Sequence, residues 1–67
     1  MRLSYNKLWK LLIDKGMNKK MLSEQSGISN TTIAKLCKGE NVNTDVLLKI
    51  CKTLACDIAD IVETVEI

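Results

Sequence analysis

The 67-residue chain has room for one domain, 1–67, and a domain of that size buries only about 60% of the surface its unfolded chain exposes, so a second subunit is a natural source of extra stability. Its 46% apolar and 27% charged residues exclude a disordered segment, while aliphatic runs of at most three residues exclude a membrane span. The net charge of +2 divides unevenly: eight Lys or Arg against two Asp or Glu over residues 1–38, and two against six over residues 39–67. A basic half of net +6 joined to an acidic half of net −4 points to a polyanionic partner on one side.

Met1 to Tyr5 alternates Leu3 and Tyr5 with Arg2 and Ser4, a short strand signal. From Asn6 the period becomes helical, with Leu8, Leu11 and Leu12 on one stripe, and Lys15 followed by Gly16 supplies a stop; the first helix is predicted over about Asn6 to Lys15. Asn18 caps a second helix, about Lys19 to Ser26, that ends at Gly27. Ser29 caps a third, Asn30 to Cys37, with Ile33, Leu36 and Cys37 inward and Gly39 as its stop. After a polar loop, Glu40 to Val42, Asn43 caps a fourth helix with the stripe Leu47, Ile50, Cys51, Leu54. Asp57 caps a last helical turn, Ile58 to Ile61, and Val62 to Ile67 alternates as a strand that could pair with residues 2–5 of the same chain or of another. The predicted class is all-α: five helices with short N- and C-terminal β-strands.

The absence of histidine removes the commonest general base and zinc ligand, and no other catalytic constellation stands out, so no enzyme activity is expected. No cofactor, metal or small-molecule ligand is expected either. Cys37, Cys51 and Cys56 lie 14 and 5 residues apart, without the close pairs of a zinc site, and read as small buried hydrophobes. No apolar signal-peptide core follows Met1-Arg2, so the expected location is cytoplasmic.

The informative segment is Asn18 to Gly39. Two short helices crossing through a tight turn need a small residue where their backbones approach, and Ser23 stands there. Gly27 permits the left-handed corner, Ile28 plugs it, and Leu22, Ile33 and Leu36 lock the pair onto the first helix. This set of constraints describes a helix-turn-helix over residues 18–39.

The run from Gly16 to Gly39, GMNKKMLSEQSGISNTTIAKLCKG, resembles the Cro/cI-type, or XRE-like, helix-turn-helix family, and the likeness extends over residues 6–62. The resemblance implies a five-helix DNA-binding domain, a homodimer, and a third helix that enters the major groove of double-stranded operator DNA. It implies base-edge contacts from Asn30, Thr31 and Lys35. Phosphate contacts would come from Lys19, Thr32, Lys38, Asn41, Asn43 and Thr44, helped by backbone amides at the N-termini of the second and fourth helices. The side chains suit these roles, because Asn pairs with adenine, Lys donates to guanine, and a Thr methyl meets thymine. The implied function is a small transcriptional regulator, in the first place a repressor, acting by occupancy.

Three departures from the family pattern have consequences. A Lys at position 19, where the family usually has Gln, keeps the attraction for phosphate and lacks an acceptor to brace Asn30. Leu12 and Cys37 stand where the family often has a buried Arg–Glu pair, and since replacing such a pair by apolar partners is often neutral or stabilising, the fold is expected to survive. Glu40 and Asp45 put negative charge beside the loop expected to meet the DNA backbone. A different class of function, a protein-binding antitoxin or anti-repressor of the same fold, would instead use the acidic half on a basic partner. Lys7, Lys10 and Lys15 read as an ordinary solvated face. Trp9 is expected to be part-buried against Tyr5 or the tail; with helix 5 and residues 62–67 it is a candidate dimer surface.

Overall fold

Leucines and isoleucines spaced three and four residues apart drive helix formation in the computed structural model, which describes residues 1–66. Its elements in chain order are β1 (Arg2–Ser4), α1 (Asn6–Asp14), α2 (Lys19–Ser26), α3 (Asn30–Cys37), α4 (Thr44–Leu54), a 3-10 turn (Ile58–Asp60) and β2 (Glu63–Val65). The four helices and the segments that join them build the core: Leu8 and Leu12 of α1, Leu22 of α2, Ile33 and Leu36 of α3, Leu47, Ile50 and Leu54 of α4, with Tyr5, Ile28, Ile61 and Val62 from the connections. Each fully buried aliphatic side chain contributes roughly 1.5–3 kcal/mol, offset largely by chain entropy.

The helix ends follow the local chemistry. Asn18 Oδ1 accepts from the Met21 N–H at 2.8 Å, and Ser29 Oγ accepts from the Thr32 N–H at 3.3 Å, so α2 and α3 start where their caps place them. Gly16 and Gly39 adopt φ of +68° and +74°, allowing the Met17 and Glu40 N–H groups to reach back to the Leu12 and Lys35 carbonyls at 2.9 and 3.0 Å. Between α2 and α3, Gly27 (φ +76°) makes the left-handed corner, and the Ser23 hydroxyl donates to the Ile28 carbonyl at 2.6 Å. Ser23 is thus more than a small residue at a close approach: it ties the corner shut.

Four expectations are corrected. Cys37 is exposed, because it is the last residue of α3 and lies about 70° from the centre of the Ile33–Leu36 stripe, where the chain turns away. Leu12 is buried, so the two residues do not form an inward apolar pair. The fifth helix is a three-residue 3-10 turn, since only a few residues separate its cap from β2 and an α-helix cannot propagate. That turn is held by a capping box: Asp57 Oδ1 accepts from the Ile58 N–H at 2.8 Å, and the Asp57 N–H donates to Asp60 Oδ2 at 3.0 Å. Asn43 occupies the cap position of α4, yet its side chain makes no cap hydrogen bond.

Cys51 and Cys56 are half-buried and meet for a backbone reason. Ala55 ends α4 at φ +52°, and the Cys56 N–H then donates to the Cys51 carbonyl at 3.0 Å. This geometry brings the side chains on either side of the turn into contact. The terminal strands pair antiparallel within one chain, Arg2 with Val65, Leu3 with Thr64 and Ser4 with Glu63. Ile67, the last residue of the predicted tail strand, lies outside the described residues.

Candidate nucleic-acid interface

On a helix turning about 100° per residue, Asn30, Thr31 and Lys35 fall within an arc of roughly 140° that lies opposite Ile33 and Leu36. The core therefore fixes which side of α3 looks outward, and all three predicted base-contact residues are exposed on it. Ala34 and Lys38 share that exposed side. Ala34 escaped the residue-by-residue reading because alanine carries no polar signal; its position on the helical wheel is what reveals it.

Beside α3 the loop 40–43 and the start of α4 form the other wall of an open cleft of about 420 Å³, lined by Thr32, Lys35, Asn41, Val42, Asn43 and Val46. Four of the predicted contact residues thus converge on one concavity. Half-buried Val42 and Val46 make its apolar floor, packed against the core, and they hold the loop in place. A second tether is Tyr5, whose ring is buried and whose hydroxyl donates to the Glu40 carbonyl at 3.1 Å, 35 residues away in sequence. Burial raises the pKa of the Tyr5 phenol above its ordinary value of 10.0, which favours the protonated donor. Thr32 is less available than the sequence suggests, since its hydroxyl shares a 3.0 Å hydrogen bond with the Ser29 hydroxyl. Thr44 is exposed as the first residue of α4 but does not line this cleft. Nor do the side chains of Glu40 and Asp45, the two acids expected to oppose backbone binding, line it.

The remaining predicted phosphate contacts sit elsewhere. Lys38 caps α3 and lines a smaller cleft of about 140 Å³ with Arg2, Asn6 and Cys37 among others. Arg2 comes there because β1 runs past the end of α3: its Nη1 lies 3.6 Å from where a Cβ on Gly39 would be. Sequence reading counted Arg2 as charge only, and nothing local in the sequence signals that strand pairing brings it to Lys38. Lys19 is the first residue of α2, and its Nζ stands 4.9 Å from the centroid of the Trp9 ring. Trp9 is half-buried, so the expected partial burial holds, with Lys19 covering the ring.

Among the described residues no group of three or more His, Cys, Asp or Glu could hold a metal ion, and no described helix is long and apolar enough to cross a membrane. The arrangement is a polar helix face flanked by a loop and by cations, a shape suited to binding an extended polyanion.

Comparison with known proteins agrees with this geometry. No curated protein matches the chain. A solved structure, the transcriptional regulator VanUg in its crystal form II, superposes with a TM-score of 0.92 at 58% identity, covering 96% of this chain and 85% of that one. The family model described as the Cro/C1-type HTH DNA-binding domain matches residues 7–66. The chain belongs to the Cro/C1-type helix-turn-helix DNA-binding family.

Proposed function

We propose that the protein is a transcriptional regulator that binds specific sites on double-stranded DNA, with α3 in the major groove. The observation that carries this reading is the exposed face of α3 standing beside the cleft that Thr32 and Lys35 share with Asn41 and Asn43. Asn30, Thr31 and Lys35 read base edges, and the Ala34 methyl sits among them where a thymine methyl can approach. Lys19, Lys38, Asn41, Asn43 and Thr44 hold the backbone on both sides of the groove, with Thr32 contributing through its shared hydroxyl. Arg2 joins Lys38 at the far end of α3.

The active species is a homodimer. One module of this kind buries only about 600–1,000 Å² on DNA, too little for tight specific binding, and two half-sites multiply the discrimination. The protein represses by occupying its operator, where a bound dimer sterically excludes the transcription machinery from the same stretch of duplex. The similarity to a protein described as a transcriptional regulator supports this role.

Titration of a duplex against salt tests the reading. Lys19, Lys38 and Arg2 of each chain, six cations per dimer, predict that log affinity falls with log salt at a slope of about −5. A flat titration, or no duplex binding at low salt, would leave the protein-binding alternative as the better account.

A further inference from the structure

We propose that Trp9 is a positioning residue for DNA: its indole face holds the Lys19 ammonium at the N-terminus of α2, where a backbone phosphate docks. The inference rests on the duplex-DNA reading and adds to it a residue of α1 that no contact pattern along α2 or α3 would suggest.

Three features of the structure meet at this point. The Lys19 Nζ lies 4.9 Å from the Trp9 ring centroid, within the range of a cation–π contact. The ring itself is held, since half-buried Trp9 packs against the core and forms a wall of two different clefts. One of these is an open groove of about 720 Å³ lined by Leu12, Ile13 and Met17 together with Lys19 and Lys20. The α2 N-terminus supplies the third feature. The Met21 and Leu22 N–H groups are taken by Asn18, whereas those of Lys19 and Lys20 have no acceptor within the helix and face outward with the dipole's positive end.

The ring contact occupies one side of the ammonium. Its N–H donors on the other side remain free for a phosphate oxygen, together with the outward backbone amides. A lysine on a flexible four-carbon stem normally loses rotamer freedom when it grips a phosphate. Stacking on a fixed ring removes much of that freedom beforehand, so less is lost on binding.

A double-mutant cycle on duplex of random sequence is the test, read by fluorescence anisotropy across a salt series. Trp9→Leu should weaken binding about two- to five-fold per chain, the strength of an exposed cation–π contact, with the salt slope unchanged because the lysine remains. Lys19→Met should reduce the slope by about one unit per chain, and adding Trp9→Leu to it should cause no further loss. Trp9→Phe, which keeps an aromatic face, should recover most of the affinity. An equal loss from Trp9→Leu with and without Lys19, the signature of a merely structural role, overturns the assignment. A readout in the native fold guards against a Trp9→Leu protein that does not fold. Trp9 is the only tryptophan, so its emission should change when duplex binds and stay constant in Lys19→Met. The same change in both proteins also overturns the assignment. Failure of the wild-type protein to bind duplex defeats the DNA reading itself, whereas binding with non-cooperative losses defeats only the role of Trp9.

Discussion

Removing one oxygen from Tyr5 tests whether the loop beside α3 is held from the far end of the chain. The hydroxyl donates to the Glu40 carbonyl at 3.1 Å, and the ring around it is 2% exposed, so Tyr5→Phe deletes the tether while leaving the packed ring in place. A hydrogen bond of this kind contributes about 0.5–1.5 kcal/mol net. Glu40 is exposed, so water can take over its carbonyl and the penalty for an unsatisfied acceptor is avoided; a loss of about 1 kcal/mol follows. At about 2.1 cal/mol/K per residue the unfolding entropy of this 67-residue domain is roughly 0.14 kcal/mol/K, so Tm should fall by about 7 °C. Circular-dichroism melts measure this shift, and urea titration should show a lower midpoint with an unchanged m value. Amide exchange should accelerate at Glu40 and Val46, whose N–H groups donate to the Lys35 and Asn43 carbonyls at 3.0 Å at the two ends of the loop that walls the cleft. A Tm change under 2 °C, with loop exchange unaltered, would show that Val42 and Val46 hold the loop unaided and that the tether does nothing.

Other consequences follow from single features. Ala55 takes the left-handed conformation at a position where alanine is strained by about 1–2 kcal/mol; Ala55→Gly relieves this, loses part of the gain to unfolded-chain entropy, and should stabilise by about 0.5–1 kcal/mol in denaturant titration. Burial raises the pKa of the Tyr5 phenol above 10.0, and burial with the neighbouring Cys51 thiol raises that of Cys56 above 9.0. In each case the unfolded chain loses its proton first, so stability is intact below pH 9 and declines as pH rises through 9 and then 10. Cys56→Ala should flatten the first part of that decline and Tyr5→Phe the second, as measured by melts across pH. In the native protein one thiol, Cys37, should react rapidly with an alkylating reagent while Cys51 and Cys56 react slowly; two or more fast equivalents by mass spectrometry would contradict the burial pattern.

What the sequence disclosed and what it hid differ in physical range. The bounds of α2 and α3, with their caps and the Gly27 corner, rest on interactions spanning at most five residues, and these are written in neighbouring side chains. The same is true of the outward face of α3, because Ile33 and Leu36 determine its opposite. Cys37 was misplaced because periodicity does not say where a helix leaves the core. The side-chain cap expected from Asn43 failed because residue type selects the cap position without ensuring the hydrogen bond. The fifth helix shrank to a 3-10 turn because length, rather than capping, limited it. Contacts of long range were invisible: Tyr5 with Glu40, Lys19 with Trp9, and Arg2 beside Lys38 all arise from packing of distant segments. Strand pairing within the chain was one of two possibilities that alternation alone could not separate.

The shortness of α3 raises a question of stability, since eight residues, about 12 Å, are too few to form a stable isolated helix. Its persistence here depends on what lies behind and before it: Ile33 and Leu36 in the core, Ser29 at its cap, and the Ser23–Ile28 hydrogen bond at its entrance. None of these groups belongs to the exposed face. If the exposed face reads DNA as proposed, stability and recognition in α3 are carried by different side chains, and they should separate experimentally. Asn30→Ala should change which operator sequences are preferred and Lys38→Ala should weaken binding to all sequences alike, while neither shifts stability by more than about 0.5 kcal/mol. Leu36→Ala should do the reverse, losing about 2–5 kcal/mol of stability and unfolding the domain before its sequence preference can alter. Equal loss from Asn30→Ala on specific and random duplexes would remove Asn30 from the base-reading set. A large loss of stability from it would mean that the exposed face also supports the fold, and the division of labour within α3 would not stand.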